Sequence, residues 1–253
     1  MILDDFSLQG KVALVTGCNT GLGKSMAVAL AQAGCDIVAI NRSEPADTAA
    51  EVAATGRRFL SLKADLGRQD ELSALMERAV AEMGRLDILV NNAGLIRRED
   101  ALNFSEQDWD DVMNVNIKTL FFLSQLAARQ FIKQGSGGKI INIASMLSFQ
   151  GGVRVPSYTA SKSAVMGLTR QLANEWAKYG INVNALAPGY MVTNNTAQLR
   201  GDEERSAEIL ARIPAGRWGT PQDLMGPVIF LASKAADYIN GYTLAVDGGW
   251  LAR

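Results

Sequence analysis

The stretch Lys11-Val-Ala-Leu-Val-Thr16-Gly17-Cys-Asn-Thr-Gly21-Leu-Gly23 decides the fold of this 253-residue chain. Its first six residues form a short, mostly apolar run, which is typical of a β-strand buried on both faces. The glycines then let the backbone turn tightly and approach a pyrophosphate, which the N-terminus of a following helix attracts. A plain βα turn would also satisfy a lone glycine loop, so the stretch gains weight only from agreement with the rest of the chain.

Beyond Gly23 the chain alternates between short apolar runs and longer helical patterns. The pattern predicts strands at 11–16, 36–41, 58–64, 86–90, 139–144, 181–187 and 243–246. It predicts helices at 24–33, 45–55, 69–83, 108–131, 155–179 and 221–233. Such alternation indicates an α/β fold with a parallel sheet and helices on both faces. No linker is visible, so we expect one domain over 1–253, with a substrate loop or lid at about 190–219 where the pattern weakens.

The composition excludes several classes of function. A net charge of -1 and a pI near 5.6 give no electrostatic footprint for nucleic acid. No run of 18 apolar residues occurs, so we expect no membrane span, and the first residues lack the features of a signal peptide. Two cysteines and no histidine are too few for a disulfide framework or a zinc site. We therefore expect a cytoplasmic enzyme that uses no metal.

A tyrosine and a lysine are the candidates for acid–base chemistry. Because the chain has no histidine, proton transfer near neutral pH needs another group. Lys162 lies four residues after Tyr158, so on a helix both side chains share one face, and an ammonium there is expected to lower the tyrosine's pKa. Ser145 ends an apolar run that would deliver its hydroxyl to the same place.

Polar or glycine-containing segments follow four of the predicted strands, at the edge where open α/β sheets bind ligands. The motif 91–94, Asn-Asn-Ala-Gly, follows the fourth strand, and asparagines there also cap turns. Asp65 could accept a hydrogen bond from an adenine amino group or cap the next helix. Pro188-Gly189, with Thr193 beyond it, could frame a nicotinamide carboxamide.

Taken together and in this order, the motifs resemble the classical short-chain dehydrogenase/reductase family. The resemblance implies a single-domain Rossmann fold with a doubly wound, seven-stranded sheet, a nicotinamide cofactor and a homotetramer. It implies a catalytic tetrad of Asn116, Ser145, Tyr158 and Lys162, in which Asn116 would anchor a water relay to the lysine. The cofactor-binding residues expected from the motifs and the resemblance are Gly17, Asn19, Thr20, Gly21, Leu22, Gly23, Asn41, Arg42, Asp65, Leu66, Asn92, Ala93, Gly94, Tyr158, Lys162, Pro188, Gly189 and Thr193.

The choice between NAD and NADP depends on the end of the second strand. Family members that favour NAD usually carry an acidic residue there, which binds the ribose 2′-hydroxyl. Asn41 occupies the position here, and Arg42 beside it could pair with a 2′-phosphate. The glycine loop has Asn19 and Thr20 where a second basic residue would often lie. We expect NAD to be preferred, with NADP possible.

Four further stretches, 94–100, 145–151, 188–195 and 250–253, narrow the resemblance to the sugar-acid dehydrogenases of the family. The expected substrate is a small keto-deoxy sugar acid, whose carboxylate suits the planar fork of an arginine. A 3-oxoacyl or general ketone reductase stays open, as does a catalytically idle dinucleotide sensor. Arg98 is a further candidate for the carboxylate. The expected substrate-binding residues are Arg97, Ser145, Leu147, Gln150, Arg154, Tyr158 and Tyr190.

Overall fold

Seven parallel strands form one sheet in the order β3-β2-β1-β4-β5-β6-β7, in a computed structural model that describes all 253 residues. The prediction of a doubly wound, seven-stranded parallel sheet is confirmed. The strands are β1 Val12–Thr16, β2 Asp36–Asn41, β3 Phe59–Lys63, β4 Ile88–Asn91, β5 Gly138–Ile143, β6 Ile181–Pro188 and β7 Thr243–Val246.

Helices cover both faces of the sheet, and each βα alternation of the sequence becomes one crossover. None of the helices is both long and apolar enough to cross a membrane. The helices are α1 Gly21–Gln32, α2 Ala46–Ala53, α3 Leu72–Met83, α4 Glu106–Met113, α5 Leu120–Gln134, α6 Pro156–Trp176, α7 Ala197–Gly201, α8 Glu203–Arg212 and α9 Met225–Ala232.

Two apolar cores lie on opposite faces of the sheet, and β1 shows why. Its successive side chains point to opposite faces, so Ala13 and Val15 join the core under α1 and α9, whereas Val12 and Leu14 join the core under α3, α5 and α6. Every residue of β1 is buried. A continuous apolar run is what a strand covered on both sides requires.

The strand order places the functional cleft. The chain leaves β1 towards β2 and β3 on one side, and it continues from β4 on the other side of β1. Loops after β1 and β4 therefore diverge, which opens a crevice at the carboxyl ends of these neighbouring strands. Residues of the loop 17–20 and of the turn 92–95 line that crevice.

Several predicted helices differ from the structure at their ends, and two of these differences bear on the site. α1 begins at Gly21 and not at Lys24, because the end of the glycine loop already forms the first helical turn. The predicted helix 108–131 is three pieces: α4 begins at Glu106 after the Ser105 cap, a π-helical turn spans Asn114–Thr119, and α5 follows. π-turns interrupt the regular hydrogen-bond ladder and are frequent at functional sites.

The segment 190–219 contains α7 and α8 and has few buried side chains. Its two ends are joined by a parallel bridge between Met191 and Gly219. Asp202 caps α8 by accepting a hydrogen bond from the Arg205 amide at 3.0 Å. The segment between the sixth strand and Gly219 therefore contains two short helices and is not a structureless loop.

Candidate active site

The glycine loop leaves no room for side chains at two of its positions. A Cβ on Gly23 would lie 2.2 Å from the Gly17 oxygen and 2.4 Å from Asn92 Nδ2. Gly17 has a φ of +65° and lies against Ala93. Thr20, the N-cap of α1, makes no side-chain capping bond to the first turn of the helix. A bare helix N-terminus behind a close-fitting glycine loop fits a pyrophosphate.

Hydrogen bonds from β4 hold this loop in place. Asn92 Nδ2 donates to the Thr16 oxygen at 2.9 Å and to the Gly17 oxygen at 2.8 Å. Thr16 Oγ1 in turn accepts from the amides of Asn92 and Ala93, at 3.0 and 2.9 Å. The loop after β1 and the turn after β4 therefore form one rigid wall of the crevice.

Asn41 holds the other side of the same loop. Its side chain is buried, its Oδ1 accepts from the Cys18 amide at 2.7 Å, and its Nδ2 lies 3.6 Å from Cys18 Sγ. Thr48 Oγ1 donates to the Cys18 oxygen at 2.6 Å. Burial raises the pKa of the Cys18 thiol to about 11, so this cysteine stays a neutral packing group.

A cleft of about 440 Å³ lies above these strand ends. It brings together every expected cofactor-binding residue except Pro188 and Gly189. Those two pack on the end of β7, where the Gly189 amide donates to the Val246 oxygen at 3.0 Å. Asp65 lines the cleft, but its Oδ1 accepts from the Gly67 amide at 2.9 Å, so one carboxylate oxygen is used to hold the turn.

Lining residues absent from the sequence prediction are mostly apolar or small. Ser43 could have been predicted, because it directly follows Arg42 in the sequence. In the structure, Asn19 Nδ2 donates to Ser43 Oγ at 2.8 Å. Val115 comes from the π-helical turn, which no local pattern indicated. The added lining residues are Ile40, Ser43, Ala64, Gly67, Leu95, Val115 and Ile143. Asn194 and Asn195, from the segment 190–219, also line the cleft.

Tyr158 and Lys162 lie on α6 one turn apart, as predicted, and both line the cleft. The Lys162 Nζ lies 5.6 Å from the centre of the Tyr158 ring and donates to the Ile143 oxygen at 2.5 Å. Lys162 is buried, and burial lowers its pKa from 10.5 to about 8. A buried ammonium loses hydration, which favours the neutral amine.

The expectation that Lys162 lowers the pKa of Tyr158 is wrong for the protein alone. Burial raises the pKa of Tyr158 above its ordinary 10.0, while a side-chain hydrogen bond with Ser145 and the charge of Arg98 act in the lowering direction. Loss of hydration penalises the phenolate more than these two groups favour it. The Lys162 ammonium lies 5.6 Å from the centre of the Tyr158 ring and donates to the Ile143 oxygen, so it does not offset the loss of hydration of the tyrosine hydroxyl.

Asn116 lies in the π-helical turn and is buried. Its Oδ1 accepts from the Leu95 amide at 2.8 Å, and its Nδ2 donates to the Leu95 oxygen at 3.0 Å and to Ser161 Oγ at 3.0 Å. A Cβ on Gly94 would lie 3.2 Å from Asn116 Oδ1 and 3.7 Å from Lys162 Nζ. The asparagine therefore joins the turn after β4 to α6, close to the lysine.

The three candidate arginines have different partners. Glu99 and Asp100 both pair with Arg154, at 3.6 and 3.3 Å. Arg97 instead pairs with two carboxylates of α4, Asp108 at 3.1 Å and Asp111 at 3.4 Å.

Arg98 is the one of the three that makes no ion pair. Its Nη2 donates to the Asn195 oxygen at 2.8 Å, which joins the loop after β4 to the segment 190–219. Its charge also acts on the Tyr158 hydroxyl. Arg98 is therefore the candidate arginine whose charge reaches the reacting end of the cleft.

The remaining expected substrate-binding residues surround an aromatic cluster beside the cleft. The Tyr190 ring packs edge-on against Trp250 at 4.8 Å and Trp218 at 5.4 Å, and Leu147 packs on the same cluster. Gln150 Oε1 lies 3.4 Å from Arg212 Nη2. None of Leu147, Gln150 and Tyr190 lines the main cleft itself.

The C-terminal residues hold this cluster against α8. Trp250 is 4% exposed, and the Arg212 guanidinium lies 4.0 Å above its ring. Arg253 Nη2 donates to the Ala211 oxygen at 3.0 Å. The last turn of the chain, residues 250–252, therefore packs beneath the segment 190–219.

The chain belongs to the short-chain dehydrogenase family, whose model matches residues 11–204. This confirms the family resemblance. The chain is 75% identical over 253 residues to the 2-dehydro-3-deoxy-D-gluconate 5-dehydrogenase of Escherichia coli strain K12, covering 100% of both chains. It is 54% identical over 253 residues to the enzyme of the same name from Bacillus subtilis strain 168, covering 99% of this chain and 98% of the relative.

Solved structures show the same likeness. A gluconate 5-dehydrogenase from Burkholderia cenocepacia J2315, solved in complex with NADP and tartrate, has a TM-score of 0.96 and is 40% identical. The match covers 100% of both chains. Family membership makes this protein an oxidoreductase, with a fold of the type that binds NAD or NADP.

Proposed function

We propose that this protein is a 2-dehydro-3-deoxy-D-gluconate 5-dehydrogenase, which moves a hydride between a nicotinamide cofactor and the oxidisable carbon of a keto-deoxy sugar acid. The names of the relatives that match over their full length support this substrate. The observation that carries it is Arg98, an arginine with no carboxylate of its own, which donates to the backbone of the cleft residue Asn195 and whose charge acts on the Tyr158 hydroxyl. A sugar-acid carboxylate needs such a multi-donor cation, and a long acyl chain would need an apolar entrance instead.

The tetrad residues take the roles that their positions allow. When bound, the nicotinamide donates or accepts the hydride. In reduction, Tyr158 gives its hydroxyl proton to the substrate oxygen as that oxygen gains charge, and in oxidation it takes the proton back. Ser145 hydrogen-bonds the same oxygen. Lys162, with its pKa lowered to about 8, carries positive charge below that pH and would hold the ribose hydroxyls of the nicotinamide nucleotide.

The glycine loop, the turn after β4 and the end of β2 would hold the dinucleotide. Gly17, Gly21 and Gly23 would carry the pyrophosphate, and Asn41 and Arg42 would face the adenosine ribose. We keep NAD as the preferred cofactor and NADP as an accepted one. The same proposal includes a homotetramer in the cytoplasm, with residues 190–219 acting as a substrate lid. Size-exclusion chromatography with light scattering tests the oligomeric state.

The experiment compares kcat/KM for 2-dehydro-3-deoxy-D-gluconate and its uncharged methyl ester with NAD, in the parent, Arg98→Ala and Arg97→Ala. Arg98→Ala is expected to raise KM for the acid at least tenfold and to leave the ester unaffected, since charged hydrogen bonds contribute roughly 1.5–3 kcal/mol. Arg97→Ala is the matched control, because its charge is already neutralised by Asp108 and Asp111. Equal use of acid and ester by the parent would refute the sugar-acid assignment and favour a general ketone reductase.

A further inference from the structure

We propose that Ser148 and Ser161, two buried serines outside the tetrad, are positioning residues that join its four members into one unit. Each hydroxyl bridges one tetrad residue to another. Both serines are almost fully enclosed, Ser148 at 6% and Ser161 at 0% exposure. The inference rests on the proposed function, because it takes the tetrad as the reacting group.

Ser148 joins Ser145 to Lys162. It lies in the short 3-10 turn that Ser145 begins, and its Oγ accepts from the Ser145 amide at 3.3 Å. The same Oγ donates to the Lys162 backbone oxygen at 2.6 Å, across fourteen residues of sequence. One hydroxyl thus ties the loop after β5 to the middle of α6. The bond sets how far the Ser145 side chain stands from the face of α6 that carries Tyr158.

Ser161 joins Asn116 to Tyr158. Its Oγ accepts from Asn116 Nδ2 at 3.0 Å and donates to the Tyr158 backbone oxygen at 2.8 Å. A bond to the carbonyl three residues earlier is common for a helical serine. The bond from Asn116 is not local, since it crosses from the π-helical turn to α6. Asn116 also hydrogen-bonds both the backbone amide and the backbone oxygen of Leu95. The turn after β4 is therefore linked to Tyr158 through the side chains of Asn116 and Ser161.

Removal of the Ser148 hydroxyl leaves the Ser145 amide without its side-chain acceptor, and removal of the Ser161 hydroxyl leaves one of the two Asn116 Nδ2 hydrogens unpaired. Either change frees one tetrad member to shift. Misplacement of reacting groups by about 1 Å costs on the order of a hundredfold in rate. Most of the residues proposed to bind the cofactor lie in the glycine loop, the end of β2 and the turn after β4, and neither serine touches them. The loss should therefore fall on kcat and leave cofactor affinity unchanged.

The test uses Ser148→Ala, Ser161→Ala and the double variant, with the cysteine variants at both positions to keep the volume while weakening the hydrogen bonds. The assay follows oxidation of 2-dehydro-3-deoxy-D-gluconate, or of whichever sugar acid the parent oxidises fastest. We expect each single variant to lose roughly ten- to a hundredfold in kcat, with the NADH dissociation constant within about twofold of the parent. The double variant should lose less than the product of the two single losses, since residues acting as a unit are not additive.

Thr169→Val is the matched control. Thr169 is a fully buried hydroxyl on the same helix, which donates to the Val165 oxygen at 2.8 Å and accepts from Asn142 Nδ2 at 3.0 Å, but it touches no tetrad residue. It should lower the melting temperature and keep kcat. If the alanine and cysteine variants behave like this control, the inference is overturned. A double-variant loss equal to the product of the single losses also overturns it. Tyr158→Phe is assayed in parallel to separate a failure of this inference from a failure of the proposed function. Near-normal turnover in Tyr158→Phe would refute the catalytic tetrad itself.

Discussion

Gly23→Ala should damage cofactor binding through sterics alone. The added Cβ would lie 2.2 Å from the Gly17 oxygen, so that carbonyl must retreat by about 1 Å before the contact becomes tolerable. The retreat breaks the 2.8 Å bond from Asn92 Nδ2 to the Gly17 oxygen. Overpacking and one lost hydrogen bond together cost roughly 2–4 kcal/mol of stability. A pyrophosphate cradle displaced by about 1 Å should bind NADH ten- to a hundredfold more weakly.

Fluorescence titration with NADH measures the affinity, and thermal denaturation measures the stability. Gly167→Ala supplies the control, because a Cβ at Gly167 in α6 would meet nothing within 4 Å. That variant should gain about 0.5–1 kcal/mol from helix propensity and bind NADH normally. NADH binding by Gly23→Ala within twofold of the parent would show that the loop adapts, and the steric reasoning would be wrong.

Two further changes probe charge. Asn41→Asp keeps an oxygen that accepts from the Cys18 amide and adds a negative charge at the end of β2. The ratio of kcat/KM with NAD to kcat/KM with NADP should rise about tenfold or more. An unchanged ratio would show that residue 41 does not determine the choice of cofactor. Lys162→Met removes an ammonium whose pKa is lowered from 10.5 to about 8. Because the unfolded chain holds that proton more tightly, burial of the charge costs stability below pH 8, and the cost fades as pH rises to 10.5. Denaturant titration should find the variant roughly 1–3 kcal/mol more stable than the parent at pH 7, with a difference that shrinks above pH 8, and equal stability at pH 7 would contradict this.

Local patterns sufficed for the framework of the molecule. The apolar run of β1 and the glycines after it are short-range signals, and they predicted the strand, the turn and the cradle. The four-residue spacing between Tyr158 and Lys162 is likewise a local signal. Both residues lie on α6, one helical turn apart. The carboxyl ends of parallel strands share one edge of the sheet, so the turn at 91–94 and the glycine loop were expected to meet, and they do.

Long-range pairing lay beyond those patterns. Glu99 and Asp100 stand next to Arg98 in sequence, yet they pair with Arg154, because the loops after β4 and β5 meet in space. The pKa of Tyr158 depends on how completely neighbouring residues exclude water from its hydroxyl. The sequence spacing between Tyr158 and Lys162 carries no information about that burial. The π-helical turn adds Val115 to the cleft and turns Asn116 to Leu95, and no periodic signal marks such a turn.

The packing of the last residues beneath α8 has a practical consequence for anyone who expresses this protein. Trp250 is enclosed and Arg253, although exposed, donates a hydrogen bond to the Ala211 oxygen, so an affinity tag joined to Arg253 would disturb contacts that hold α8. The first three residues are all exposed and lie in or beside a short 3-10 turn with no buried side chain. Purification handles and surface immobilisation linkers therefore belong at the N-terminus.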